Sequence, residues 1–200
     1  MTFIKVCGLR DAGTVDLAVD LGVDAVGFVF AESVRRVEPS AAADLAKRVP
    51  RSVNAVGVFL GNSVEQILQV ADTVGLTTVQ VHDLETADQV GRLHDAGLTV
   101  IRAVVASRIR DGYDADLGED GLLVDGADAG SGVAWDWSAE RSRPRGDWIL
   151  AGGLSPDNVA SALAATGAWG VDVSSGVEST RGVKDHALVT RFVAAVRGGA

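Results

Sequence analysis

Residues 3–10 read FIKVCGLR and predict the first strand of the fold. Successive side chains of a strand point to opposite faces, so Phe3, Lys5 and Cys7 share one face. If that face lines a closed barrel, Cys7 lies at the carboxyl edge of the strand and Lys5 lies one layer deeper, where its cation favours a thiolate. A lone cysteine is more often a small buried apolar side chain, so the rest of the chain must decide between these two roles.

The composition of the chain excludes several classes of protein. Its 200 residues, 47% hydrophobic and 22% charged, suit one domain over residues 1–200 with a sizeable core. The 18 basic and 27 acidic residues give a net charge of −9, which argues against nucleic acid or an anionic membrane as a partner. The apolar runs are too short to cross a bilayer and no signal-like segment opens the sequence, so we expect a cytoplasmic protein.

Disulfides and metal centres are also not expected. The single cysteine cannot form an internal disulfide, and the three histidines show no metal-ligand spacing with it. Nothing in the sequence indicates an oligomer, although none is excluded.

The chain repeats a strand followed by a helix, and this alternation predicts the architecture. The predicted strands begin at Phe3, Ala25, Ala55, Thr77, Thr99, Gly121, Trp148 and Gly170. Alternation of this kind requires parallel strands with right-handed crossovers. Eight units in 200 residues fit an α/β fold of the (β/α)₈ (TIM) barrel type better than an open sheet, and no G-x-G-x-x-G motif follows the first strand. We expect helix 5 and helix 6 to be short or irregular.

Local signals predict where several helices begin and end. Residues 63–66 offer a capping box for the third helix, which should end near Gly75. Pro39 can occupy the first turn of the second helix without losing a hydrogen bond. The pair Ser155 and Pro156 has the cap and first-turn proline expected for the helix after strand seven.

Reactive side chains recur at the carboxyl ends of the predicted strands, which form the functional face of a parallel barrel. Cys7 ends strand one, Arg35 follows strand two, His82 and Asp83 end strand four, and Asp125 ends strand six. Each of them alone has an ordinary structural interpretation, such as a solvated arginine or a hydrogen-bonded histidine. Their coincidence at one face favours an active site.

Small residues follow strands seven and eight, in the runs 152–153 (Gly-Gly) and 174–176 (Ser-Ser-Gly). Backbone N–H groups and two hydroxyls can close on an oxyanion there, and a nearby helix N-terminus adds positive potential. Because barrels commonly bind phosphate in this corner, we predict a phosphate site.

Cys7 and Asp125 are the candidate base and acid of this face. As a base, Cys7 must lose its proton near neutral pH, which Lys5 would favour. As an acid, Asp125 must be protonated when the substrate binds, which burial would favour. Asp172 shares the inward face of strand eight and is the expected partner of Lys5 in a structural ion pair.

Taken in order, the motifs of this chain resemble the phosphoribosylanthranilate isomerase family of tryptophan biosynthesis nearly from end to end. The stretches that carry the resemblance include KVCGL at 5–9, GFVF at 27–30, QVH at 80–82, LVD at 123–125, GSG at 130–132, AGGLSP at 151–156 and DVSSGVE at 172–178. The resemblance implies a (β/α)₈ barrel without metal or organic cofactor. It implies the Amadori rearrangement of N-(5-phosphoribosyl)anthranilate to 1-(2-carboxyphenylamino)-1-deoxyribulose 5-phosphate, a small phosphosugar-anthranilate substrate.

The resemblance also implies roles for individual residues. Cys7 would be the general base that takes the C2′ proton, and Asp125 the general acid that protonates the ribose ring oxygen. Arg35 would hold the anthranilate carboxylate. The full set of candidate substrate-binding residues is Arg35, His82, Gly130, Gly152, Gly153, Ser174, Ser175 and Gly176.

Three positions depart from the pattern of that family: Val34, Asp83 in place of a glycine, and Ala129 in place of the first of two glycines. An extra carboxylate at position 83 would weaken the binding of an anionic substrate, and Ala129 would stiffen its loop. Two alternatives remain at this point. The related histidine-pathway isomerase uses an aspartate where this chain has Cys7, and a phosphosugar-binding barrel without activity would have no reason to keep both candidate proton-transfer residues.

Overall fold

The computed structural model describes residues 1–110, 116–126, 144 and 146–198, with the side chain of residue 110 excepted. Eight parallel strands close into a barrel in sequence order, with the first strand beside the eighth. They are β1 (Phe3–Cys7), β2 (Ala25–Val29), β3 (Asn54–Phe59), β4 (Thr78–Val81), β5 (Thr99–Val105), β6 (Gly121–Asp125), β7 (Trp148–Leu150) and β8 (Gly170–Val173). The barrel predicted from the alternation of strands and helices is confirmed.

Helices lie between the strands and cover the outside of the barrel. In the described part of the chain they are α1 (Ala12–Asp20), α2 (Pro39–Ala46), α3 (Val64–Val74), α4 (Ala87–Asp95), α5 (Ala106–Arg110), α6 (Val159–Thr166) and α7 (His186–Gly198). The helix after β5 is only five residues long, as expected. The short helix predicted within residues 135–143 lies outside the described residues. None of the described helices has the length and apolar character that a membrane span needs.

The predicted helix ends are mostly confirmed. Ser63 and Gln66 form the reciprocal capping box of α3, and Gly75 ends that helix in the left-handed conformation, with φ of 78°. Pro39 is in the first turn of α2. The expected cap at Ser155 and Pro156 is wrong, because α6 begins only at Val159.

The residues before α6 form a turn of their own. The side chain of Asn158 accepts a hydrogen bond from the backbone N–H of Ser155 (2.7 Å) and donates one to the carbonyl of Gly153 (2.8 Å). These bonds fix the chain immediately after β7, at the carboxyl edge of the barrel. The proline therefore shapes the loop rather than opening the helix.

The loop after β8 contains structure that the sequence patterns did not predict. A single 3₁₀ turn spans Ser175–Val177, and an antiparallel hairpin follows it, β9 (Glu178–Thr180) with β10 (Val183–Lys184). The hairpin lies on the functional side of the barrel, because Lys184 donates a hydrogen bond to the carbonyl of Ser174 at the end of β8 (2.8 Å).

Two apolar layers hold the barrel together. The outward side chains of the strands, such as Ile4 and Val6 of β1, pack against the helices in the main core. The inward side chains form a second, smaller cluster in the lower part of the barrel. Its members are Ala25, Val56, Ile101, Ala103, Leu123, Ile149 and Ala151, with Phe3 packed against them. Because strands alternate their faces, one strand supplies both layers.

Candidate active site

Two adjoining cavities open at the carboxyl ends of the strands. The larger has a volume of about 710 Å³, and its lining includes Cys7, Arg35, Gln80, His82, Asp125, Asp172 and Ser174. The smaller has a volume of about 340 Å³ and is lined by Asp125, Ala151, Gly152, Gly153, Leu154, Asp172, Ser174 and Ser175. The two share Asp125, Asp172 and Ser174. The structure thus brings together candidate residues from strands one, two, four, six, seven and eight.

Cys7 is the free cysteine of the chain, and it is buried at the carboxyl end of β1. Burial raises the pKa of its thiol, while the charges of Lys5 and Lys184 lower it and the charge of Asp172 raises it further. The cation expected beneath the thiol is therefore present, but the loss of solvent outweighs its effect. With this raised pKa, Cys7 is a thiol at neutral pH.

Lys5 and Asp172 form the predicted ion pair. The Lys5 Nζ lies 2.9 Å from Oδ2 of Asp172, and the two residues are register partners on β1 and β8. Burial is the largest effect and lowers the pKa of Lys5, but the charges and hydrogen bonds of Asp172 and Cys7 together outweigh it, and the pKa is raised. Asp172 neutralises much of the charge of this lysine. Lys5 therefore stabilises a thiolate at Cys7 less than an unpaired lysine would.

Asp125 ends β6 and reaches both cavities. Burial raises the pKa of its carboxyl group to about 6, although the backbone N–H of Gly126 donates a hydrogen bond to Oδ1 (2.7 Å) and opposes the shift. A carboxyl group with a pKa near 6 retains a proton far more readily than an ordinary aspartic acid. That property suits a general acid.

A glycine makes room for this carboxyl group. Gly152 has φ of 84°, and a Cβ on it would lie 2.6 Å from Oδ1 of Asp125. A side chain at position 152 would therefore be strained and would displace the acid. Glycine is therefore required at position 152 to accommodate the carboxyl group of Asp125, as well as for any contact with a phosphate.

Arg35 is held by a partner that the sequence did not reveal. Its guanidinium donates Nε–H and Nη2–H bonds to the two carboxylate oxygens of Glu178, at 2.7 and 2.9 Å. Lys184 donates to the same carboxylate at 2.9 Å. Burial raises the pKa of Glu178, but the hydrogen bonds from Arg35, the Gly182 N–H and Lys184 lower it to about 2. The arginine is thus fixed in orientation at the wall of the larger cavity.

His82 and Gln80 line the side of the larger cavity that β4 contributes. Burial lowers the pKa of His82 to about 4, helped by the charge of Lys5 and opposed by Asp83, so the ring is neutral at pH 7. Its Nε2 lies 3.0 Å from Nε2 of Gln80 and accepts a hydrogen bond from that amide. The amide oxygen of Gln80 is buried and has no partner among the described residues. His82 can therefore act here as a neutral hydrogen-bonding group.

The predicted phosphate residues divide into two groups. Gly152, Gly153, Ser174 and Ser175 line the smaller cavity, as expected of a site for an oxyanion. Gly176 does not appear in that lining, and a Cβ there would collide with the carbonyl oxygen of Leu154. This glycine is required by close backbone packing, and its contact with an anion stays a prediction. Gly130 lies outside the described residues.

One departure from the family pattern has a structural explanation. The carboxylate of Asp83 accepts a hydrogen bond from the backbone N–H of Gly61 at 2.8 Å, in the loop after β3. It is not among the residues that line either cavity. The carboxylate is directed to a neighbouring loop, which removes the reason to expect weaker anion binding. Ala129 lies outside the described residues.

Comparison with known proteins identifies the family. The family model described as N-(5′-phosphoribosyl)anthranilate (PRA) isomerase matches residues 4–195. The chain belongs to the phosphoribosylanthranilate isomerase family. An N-(5′-phosphoribosyl)anthranilate isomerase of Streptococcus pneumoniae (strain Taiwan19F-14) is 40% identical over 200 residues, which cover 100% of this chain and 98% of that protein. The family membership expected from the motifs is confirmed.

Solved structures of isomerases in this family have the same fold. TrpF from Jonesia denitrificans is 41% identical, with a TM-score of 0.87 over 99% of this chain and 98% of that one. A phosphoribosylanthranilate isomerase in complex with reduced 1-(o-carboxyphenylamino)-1-deoxyribulose 5-phosphate is 36% identical, with a TM-score of 0.85 over 99% of this chain and 100% of that one.

Proposed function

We propose that this phosphoribosylanthranilate isomerase family member converts N-(5-phosphoribosyl)anthranilate to 1-(2-carboxyphenylamino)-1-deoxyribulose 5-phosphate, with Asp125 as acid and Cys7 as base. The assignment of roles rests on one observation. The larger cavity is lined by both the buried thiol of Cys7 and the carboxyl group of Asp125, whose pKa is about 6. Two groups of different proton affinity around one substrate are the minimum equipment for moving protons in an isomerisation.

Asp125 begins the reaction as the acid. Its carboxyl group gives a proton to the ribose ring oxygen, the bond between that oxygen and C1′ breaks, and the open chain is a protonated Schiff base. Burial supports this role because it keeps a proton on the carboxyl group at a pH where an exposed aspartate has lost it. The leaving oxygen becomes a neutral hydroxyl.

Cys7 acts in the next step as the base. As a thiolate it removes the C2′ proton, and the electrons of that C–H bond move towards the cationic nitrogen to give a neutral enolamine. The enolamine then becomes the ketone by losing its hydroxyl proton and gaining a proton at C1′. A thiol has an ordinary pKa of about 8.5, so its conjugate base is strong enough for this task once it is formed.

The cavities offer a place for each end of the substrate. The smaller cavity, with Gly152, Gly153 and Ser175 in its wall, suits the 5′-phosphate. Arg35 in the larger cavity suits the anthranilate carboxylate. Glu178 takes its Nε and Nη2 donors, so the Nη1 donors are the ones that a substrate carboxylate would use.

Two broader proposals accompany this function. The single cysteine is free, as is usual in a reducing compartment, and we place the reaction in the cytoplasm. We also treat residues 1–200 as one barrel domain, since the eight strands form a single closed sheet.

Turnover of freshly generated N-(5-phosphoribosyl)anthranilate, followed by its fluorescence, tests the function in the wild type, Cys7→Ser and Asp125→Asn. Each variant removes one proton-transfer group and nearly preserves its shape. The wild type should be active and each variant should lose about 10²- to 10⁴-fold in kcat. An inactive wild type would contradict the function, whereas full activity in either variant would contradict only the role of that residue.

A further inference from the structure

The mechanism proposed above leaves the buried ion pair of Lys5 and Asp172 without a role. The Lys5 Nζ lies 2.9 Å from Oδ2 of Asp172, Lys5 is fully buried, and Asp172 is 8% exposed. The other carboxylate oxygen, Asp172 Oδ1, is buried and has no hydrogen-bond partner among the described residues. A buried acceptor without a partner is rare in proteins and needs an explanation.

Cys7 lies next to this pair. It is two residues beyond Lys5 on the same face of β1, and it lines the larger cavity together with Asp172. Other ionisable groups face the thiol or share its cavity. With the pair itself, they are Lys5, Glu32, Arg35, His82, Asp125, Asp172 and Lys184. The two further cations, Arg35 and Lys184, share the single carboxylate of Glu178 and so leave one net positive charge, and Lys184 lowers the pKa of Cys7.

The charges of this cluster make a thiolate difficult to form. With Cys7 as a thiol, the cluster of Lys5, Asp172 and Cys7 has one cation and one anion. Loss of the thiol proton to solvent would leave two buried anions beside Lys5. Burial raises the pKa of both Cys7 and Asp172, and the Asp172 charge raises that of Cys7 further. Two buried acids that flank one cation tend to keep a single negative charge between them.

We infer that Asp172 is a positioning residue that accepts the proton of Cys7 and so converts the thiol into the base. The S–H bond breaks as an O–H bond forms on Asp172, Lys5 stays protonated, and the net charge of the cluster does not change. The proton crosses the cavity that both side chains line, by way of a bridging water. The inference rests on the proposed role of Cys7 as the base, and it gives the unpartnered Oδ1 a function.

The single cysteine allows a direct test, because alkylation by iodoacetamide then reports on Cys7 alone. The alkylation rate is measured against pH, without substrate, in the wild type, Asp172→Asn and Asp157→Asn. The last variant removes an exposed carboxylate and is the matched control. The wild type and the control should share a midpoint above the ordinary value of about 8.5. In Asp172→Asn the thiolate is the only anion beside Lys5, so the midpoint should fall at least about one pH unit below that of the wild type.

Turnover supplies the second readout. In Asp172→Asn, Lys5 stabilises the thiolate and makes it a weaker base, so kcat should fall at least about tenfold. Alkylation at pH 7 should nevertheless become faster, because more of Cys7 is ionised. Unfolding cannot imitate this result, because an unfolded cysteine titrates near 8.5 and the variant would lose its cooperative melting transition. A folded Asp172→Asn with the wild-type midpoint overturns the inference.

A double variant keeps the test available if Asp172→Asn does not fold. Lys5→Met combined with Asp172→Leu removes both buried charges together, which barrels tolerate better than the loss of one partner. The midpoint of Cys7 should then rise above the wild-type value and kcat should fall at least about 100-fold. A wild-type midpoint in this folded protein also overturns the inference. Failure of the proposed function is distinguishable, because it appears as a wild type without isomerase activity, however Cys7 titrates.

Discussion

Leu123 and Asp125 lie two residues apart on the inner face of β6, but their surroundings differ. Leu123 is fully buried in the apolar cluster that fills the lower part of the barrel. Asp125 lies one layer higher, where the inner apolar cluster is reduced to Cys7, Val29 and Val58 and two cavities remain. The lower layer stabilises the fold by close packing, while the upper layer keeps space and buried polar groups for chemistry.

The comparison also shows that the buried polar groups of the upper layer reduce the stability of the fold. Buried charges such as Lys5 and Asp172 lose hydration, and an ion pair only partly compensates for that loss. Substitutions in the two layers should therefore affect stability in opposite directions. Functional residues of this kind are retained for the reaction, and the apolar layer beneath them supplies the stability.

The largest stability effect should come from Leu123→Ala in the lower layer. It removes apolar atoms from a close-packed interior and leaves a cavity, so the free energy of unfolding should fall by about 2–5 kcal/mol. Urea denaturation measures the change, with the surface variant Asp157→Asn as the control. If Leu123→Ala is as stable as the wild type, the lower layer does not have the structural role assigned to it.

Asp125→Asn should have a pH-dependent effect of the opposite sign. The pKa of Asp125 is raised from 3.8 to about 6, so the protonated form folds more favourably and this contribution is lost as pH rises from about 4 through 6. Two pKa units correspond to about 3 kcal/mol. The asparagine variant should thus be more stable than the wild type by up to about 3 kcal/mol at pH 8, with a much smaller difference near pH 4. Equal differences at both pH values would contradict burial as the cause.

Glu178→Gln should affect substrate binding more than turnover. The amide cannot hold both Nε and Nη2 of Arg35 in the way that the carboxylate does, so the guanidinium loses its fixed orientation. KM should rise about tenfold while kcat changes less than about threefold. Glu38→Gln is the matched control, because Glu38 pairs with Arg36 on the surface at 3.6 Å. A KM that is unchanged, or equally changed in the control, would show that Glu178 does not orient the arginine.

The smallest effect should come from the surface. Asp157 and Arg191 form an ion pair at 2.7 Å, but both side chains are mostly exposed. Water and salt screen such pairs, so Asp157→Asn should change the free energy of unfolding by less than about 0.5 kcal/mol. A loss of more than about 1 kcal/mol in urea denaturation would mean that the outer surface contributes more than this comparison allows.

The sequence predicted most of the fold because the relevant signals are local. Strand and helix alternation, the capping box at Ser63 and the glycine at position 75 all act within a few residues. The Lys5–Asp172 pair could also be predicted. Both residues are at inward-facing positions, on β1 and β8, and the closure of the barrel makes these strands neighbours.

The remaining features of the site depend on contacts between residues far apart in the sequence, or on the relative size of opposing effects on a pKa. Arg35 and Glu178 are 143 positions apart, and their pairing requires the hairpin after β8, for which no strong pattern exists. The motif residue at 178 was the available signal, but it gave no partner. The protonation state of Cys7 could not be predicted for a different reason. The sequence identifies Lys5 as a neighbour, whereas only the structure shows that burial outweighs its charge.

The most direct test of the acid in the upper layer is kcat/KM between pH 5 and 8 for the wild type and Asp125→Asn. The ratio of the wild-type value to the variant value should fall as pH rises through about 6, because Asp125 loses the proton that it must give to the substrate while the titration of Cys7 is common to both proteins. The variant should be at least about 100-fold slower at pH 5. A ratio that stays constant or rises through pH 6, or a variant with the wild-type rate, would contradict the assignment of Asp125 as the general acid.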